Sequence, residues 1–218
     1  MGVFDIMGPI MIGPSSSHTA GAAKLGRIAS LLFNRKIEAA EIFFHGSFAE
    51  TYRGHGTDRA VTGGILGFKP DDERIKDSRQ LARERGINIA YQTIKLKEVH
   101  PNTLLIKLSG KGQSLTMLGS SIGGGNIIVN LIDDYQVNIS GKLPTIWVLH
   151  QDQPGEIGVI TSVLGSYSLN IAFMQVFRKK RGTVGSSIIE LDHLPGHAVL
   201  RRLEDIKNIL QVRYIPPL

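Results

Sequence analysis

Residues 13 to 21 read Gly-Pro-Ser-Ser-Ser-His-Thr-Ala-Gly and place three hydroxyls, an imidazole and open backbone donors where an apolar helical segment begins. Serine is a favoured helix N-cap, and amides left open at a helix start attract a carboxylate or phosphate, helped by the positive end of the helix dipole. Ser15, Ser16 and Ser17 are therefore candidates for holding a small anion, with His18 and Thr19 beside them. His45-Gly46-Ser47 ends an apolar strand, which is where α/β folds gather ligand groups. In Gly54-His55-Gly56-Thr57-Asp58 the glycines allow close backbone approach around His55. Thr57 and Asp58 suit the cap of the next helix, and Asp58 also suits the orientation of an imidazole. His100-Pro101-Asn102 lies between strands, its histidine held extended by the proline. Each stretch alone is also consistent with a plain cap or turn. Three of the four nonetheless fall within the first 58 residues, and together they offer a pocket that binds a small polar anion and moves a proton. No Schiff-base lysine context, dinucleotide fingerprint or Walker loop accompanies them, and the Gly-rich run at 120 to 126 joins strand to strand, as a bend does.

The elements that must position these groups follow from periodicity. Residues 20 to 35 repeat apolar positions at helical spacing, 41 to 48 read as a strand, and 57 to 68 and 71 to 84 as helices, the last closed by Arg85-Gly86. Short extended runs follow at 87 to 96, 103 to 110, 113 to 121 and 126 to 133, punctuated by Gly and Ser, which predicts a mixed or antiparallel sheet. Glycine and proline at 135 to 145 mark a boundary between domains placed at 1 to 142 and 145 to 218. Beyond it come a strand at 145 to 150, a helix at 156 to 167, strands at 170 to 179 and 183 to 192, a helix at 196 to 206 and a strand at 209 to 215. That order, β-α-β-β-α-β, is ferredoxin-like, and the fold class expected is α+β.

Composition narrows the rest. The 218 residues contain no cysteine, which excludes a disulfide, a cysteine nucleophile and a thiolate-held metal or iron–sulfur cluster built from this chain alone. No apolar run reaches the roughly 20 residues that span a bilayer, and the first residues lack the basic flank and apolar core of a secretory signal. A soluble, cytoplasmic protein without a membrane partner is expected. The net charge of +6 is spread along the sequence with no nucleic-acid-binding signature, so no nucleic-acid partner is expected.

The four motifs, in this order, resemble the beta chain of the bacterial iron–sulfur-dependent L-serine dehydratases, and the likeness runs over essentially the whole sequence. The resemblance implies an α/β first domain similar to the allosteric substrate-binding domain of some phosphoglycerate dehydrogenases, followed by an ACT domain. In the ACT pattern Asp152, Pro154 and Gly155 form the first turn and Asn170-Ile171 open the second strand; Ser168 stands where glycine is usual. It further implies L-serine as substrate, pyruvate and ammonia as products, and an obligatory alpha subunit whose cysteines carry a 4Fe-4S cluster. By the same resemblance His55 and His100 are the candidate proton-transfer pair. Ser15, Ser16, Ser17, His18, Thr19, His45, Ser47, Thr57, Asp58 and Asn102 would bind substrate or orient the groups that do. Homodimerisation through the ACT domain is expected. A non-catalytic amino-acid-sensing subunit is the alternative of a different class.

Overall fold

The computed structural model describes residues 10–218; residues 1–9, on which much of the reading against a secretory signal rests, lie outside the described residues. The chain divides into two compact units, one ending at Asp133 and the other comprising Asp134–Leu218.

In the first unit a π-helical turn, Ser16–Gly21, leads into α1 (Ala22–Phe33), then β1 (Ala39–His45), α2 (Ser47–Thr51) and α3 (Thr57–Ile65). The helix expected over 71 to 84 is split. Asp72 accepts from the Arg74 amide and starts a 3-10 turn, Glu73–Asp77, before α4 (Ser78–Glu84). Strands β2 (Asn88–Ile94), β3 (Thr103–Gly110), β4 (Gln113–Gly123) and β5 (Asn126–Ile132) follow. The strands run side by side as β2-β1-β3-β4-β5, with β1 and β2 parallel and the remaining pairs antiparallel. The sheet is therefore mixed, as the short strands imply.

Alternation decides which β1 groups reach the helices. Ala40, Ile42 and Phe44 are buried, while Glu41, Phe43 and His45 occupy the opposite face. Burying Ile42 and Phe44 contributes about 1.5–3 kcal/mol each. The core continues through Leu104, Ile106 and Met117 of the sheet and Leu25, Ile28, Ala60 and Val61 of α1 and α3. α1 and α3 approach closely because glycine stands at both crossings. A Cβ on Gly26 would strike the Val61 carbonyl, and one on Gly64 would strike the Ala23 carbonyl. The same device seats the π-helical turn on the sheet, where a Cβ on Gly21 would collide with the Ser121 hydroxyl.

The second unit begins with β6 (Tyr135–Ile139) and continues as β7 (Thr145–Gln151), α5 (Glu156–Ser166), β8 (Ile171–Arg178), β9 (Val184–Leu191), α6 (His197–Glu204) and β10 (Ile209–Ile215). Its antiparallel sheet has the order β10-β7-β9-β8, which is ferredoxin-like. Ile146, Val148, Ile160, Leu164, Ile189, Leu191, Val199 and Leu203 form its core. On the other face of β7, Trp147 donates to the Ser186 hydroxyl at 2.9 Å, and the Tyr135 ring lies 6.4 Å away. Ser168, which replaces the glycine usual in ACT domains, has φ of 56° and so keeps the left-handed turn at some strain. Among the described residues, no helix is long and apolar enough to cross a membrane.

Candidate functional site

The first motif forms a cap. Ser15 is extended (φ −142°, ψ 124°), and its hydroxyl accepts from the His18 amide at 3.3 Å. Gly13 and Pro14 bring the chain in, and a side chain at Gly13 would collide with Thr19. The turn that follows is π-helical, an uncommon conformation frequent at functional sites. No hydrogen bond is made by the side chains of Ser16 or Ser17 among the described residues, so both remain available to a ligand at the start of the helix.

His18 is the hub of the site. Its Nδ1 lies 3.2 Å from the Ser15 hydroxyl and its Nε2 3.3 Å from the Ser47 hydroxyl. Ser15 already accepts from the His18 amide, so its own proton is free to go to Nδ1. Nε2–H then donates to Ser47, whose proton is left for a ligand. Burial first, and the nearby His55 second, hold His18 below the usual imidazole value of 6.5, with a hydrogen bond to the Ser47 backbone opposing them. His18 is therefore neutral near pH 7, as this assignment requires.

His55 stands edge-on to His18, ring centroids 4.8 Å apart at 83°, and Phe48 closes another side of His18 at 5.0 Å. His55 lines a cavity of about 360 Å³ with Gly13, Arg53, Arg59 and Lys76. Its Nδ1 is buried without a partner, as are Thr19 Oγ1, Thr57 Oγ1, Asn102 Oδ1 and Ser121 Oγ. Buried polar atoms are rarely left open, and several of them on neighbouring elements mark a place for ligand or water. Ser121 packs on Gly21, and its amide donates to the Asn102 carbonyl at 2.9 Å, which ties the His100-Pro101-Asn102 loop to the π-helical turn.

Other expected groups are turned elsewhere. Asp58 is buried and pairs with Arg79 at 3.2 Å, so it does not orient an imidazole. Neither Thr57 nor Asp58 caps α3; that position is Gly56, left-handed and with no side-chain cap. His45, on the β1 face opposite Phe44, accepts from the Leu96 amide at 3.1 Å and lines, with Ala49 and Glu50 of α2, a separate cavity of about 520 Å³ at the carboxyl ends of β1 and β2. His100 is exposed, and its Nδ1 accepts from the Asn102 amide at 3.1 Å, which leaves Nε2 to solvent. Pro101 packs against Gly46, so the loop lies beside Ser47, although among the described residues the His100 ring contacts the ring of neither His18 nor His55. The strand expected over 41 to 48 runs instead over Ala39–His45, because Ser47 already begins α2.

Sequence reasoning missed Ser121, Arg53 and Arg59. The arginines were visible as the two ends of Arg53-Gly-His-Gly-Thr-Asp-Arg59, while nothing local distinguished Ser121. The residues of this chain do not fit an iron–sulfur cluster. The sequence contains no thiolate, and among the described residues no three His, Asp or Glu side chains converge as metal ligands.

Comparison with known proteins identifies the family. Residues 2–86 match the family described as serine dehydratase beta chain. The chain is 46% identical to the probable L-serine dehydratase beta chain of Bacillus subtilis, over 98% of this chain and 97% of that one. It is 37% identical to the L-serine dehydratase beta chain of Peptoniphilus asaccharolyticus, over 97% and 96%. A D-3-phosphoglycerate dehydrogenase of Methanocaldococcus jannaschii is 27% identical over 94% of this chain but only 38% of its own length. Among solved structures, the ACT domain of a GTP pyrophosphokinase of Chlorobium tepidum aligns with 34% of this chain at 17% identity and a TM-score of 0.28; the ferredoxin-like arrangement rests instead on the strand order above. With near-complete mutual coverage by two beta chains, this chain belongs to the L-serine dehydratase beta-chain family.

Proposed function

We propose that the chain is the beta subunit of an L-serine ammonia-lyase, which converts L-serine to pyruvate and ammonia in complex with an alpha subunit. The observation that carries this reading is the pairing of neutral His18 with His55, whose Nδ1 is buried, unpartnered and beside an open cavity. The substrate carboxylate is held at the start of the π-helical turn by Ser16 and Ser17, Ser15 being the cap that fixes His18, and the Ser47 hydroxyl, oriented through His18, supplies a further donor. His55 handles the proton in the elimination, because His18 is committed to its two serines. His100 is the second candidate, with Nε2 open to whatever docks on its loop. Loss of water from serine leaves aminoacrylate, which tautomerises to an imine and hydrolyses to pyruvate and ammonia.

The 4Fe-4S cluster implied by the resemblance is assigned to the alpha subunit, since this chain has no thiolate to hold it. The second unit is proposed to pair with a second copy. Val176 on the helix-covered face of edge strand β8, Phe173 on its other face, Val159 on α5 and Tyr167 just past its end are between 41% and 47% exposed, apolar groups flanking an open strand edge.

The test is anaerobic reconstitution with the alpha subunit, followed by a pyruvate assay. Turnover is expected only from the assembled pair, and His55→Ala lowers it by about 100- to 10,000-fold, as removal of a general acid–base group does. Serine binding without turnover in the wild-type assembly would favour the sensing subunit instead.

A further inference from the structure

The His55 cavity carries more positive charge than its proposed substrate can use. Arg53, Arg59 and Lys76 line it, and all three are exposed. Arg53 makes only a contact over the Tyr52 ring, at 5.5 Å, and Arg59 has no carboxylate partner among the described residues. Lys76 reaches only the exposed Glu73, at 3.7 Å. Like charges crowded at one mouth repel one another and are retained at a cost in stability. L-serine brings one carboxylate, which the serine cap and Ser47 already accommodate, and its ammonium group would be repelled here. Guanidinium groups on an open rim match the flat, bidentate geometry of Asp and Glu side chains.

We propose that this basic rim is the docking surface for an acidic segment of the alpha subunit, which closes the His55 cavity at the interface between the two chains. The proposal rests on the reading of the chain as a beta subunit. Closure in this way neutralises the rim and shuts water out of the cavity where the proton is moved. The site is then completed only in the assembly.

Association of the full chain with its alpha subunit is measured by biolayer interferometry at low and at physiological ionic strength. Arg53→Glu/Arg59→Glu should slow association by roughly tenfold or more at low salt, and the steep loss of rate with added salt seen for the wild type should flatten. Arg53→Gln/Arg59→Gln, which does not reverse charge, should give a smaller change in the same direction and keeps the test readable if the reversal impairs folding. Arg202→Glu, an exposed cation on α6 of the second unit, should change neither quantity. Unchanged rate and salt dependence in both arginine variants would overturn the proposal. So would calorimetry in which the chain alone binds inorganic phosphate or a short duplex RNA through these arginines, which would assign the rim to a small anion or to nucleic acid. A wild-type chain that does not assemble at all refutes the beta-subunit reading itself, a separate outcome.

Discussion

At the residue scale, the site turns on which proton each histidine carries. His18 resists protonation in the folded chain, because burial and the neighbouring His55 both disfavour its cation. The unfolded chain has no such resistance, so as pH falls through about 6.5 it takes up a proton that the native state declines, and stability drops. The loss is complete once the pH lies below the depressed native value and both states are protonated. Chemical denaturation at pH 8 and at successively lower values should therefore show a decline that His18→Gln reduces, whereas a decline of the same size in the variant would assign it to other groups. The sequence placed His18, Ser15 and Ser47 among the candidates, but the bridge from one hydroxyl through the imidazole to the other requires residues 29 positions apart to meet. Asp58 illustrates the converse. Its carboxylate sits three residues from His55, yet helix geometry turns it to Arg79 on the far side.

At the element scale, glycine determines how near the functional turns approach. Gly64 lies inside α3, where alanine would ordinarily stabilise the helix by about 0.5–1 kcal/mol. Here the added methyl meets the backbone of α1 at Ala23, which cannot give way as a flexible side chain would. Gly64→Ala should lower stability by about 1–3 kcal/mol, the usual cost of overpacking, and weaken the hold on Thr57 and His55 at the start of α3. Gly158 in α5 is the contrast, with nothing within 4 Å of the added atom. Gly158→Ala should raise stability by about 0.5–1 kcal/mol. Thermal denaturation of the two variants checks both signs, and a stabilised Gly64→Ala would show that α1 and α3 can move apart.

At the scale of the whole molecule, the two units differ in what an experiment can separate. The second unit starts at Asp134; β6 supplies the Tyr135 ring near Trp147, and Ser140, just past its end, donates its hydroxyl to Glu190 at 3.2 Å. A fragment comprising 134–218 should therefore melt higher than one comprising 145–218, which uncovers Trp147. Equal melting temperatures by circular dichroism would show that β6 contributes nothing to that unit. A second expectation follows from composition. The full chain treated anaerobically with iron and sulfide should stay colourless and inactive, and a stable brown cluster formed on it alone would defeat the assignment of the cluster to the partner.

Much of this organisation is written in the order of residues. Helix spacing after a serine cap, the period of two in the short strands and the β-α-β-β-α-β succession are local signals, produced by forces that act within a few residues. The absence of cysteine is likewise a property of the chain however it folds. The decisions left to tertiary structure are those that depend on direction. Strand alternation sends His45 to the outer face of β1 while Phe44 enters the core, although the two are adjacent in sequence. The close approach of Gly21 to β4 brings in Ser121, a serine with no local mark, and the Asn102 loop through it. His55 meets His18 only because α3 packs on α1 and sets the two rings together, a contact between residues 37 positions apart that no local pattern encodes.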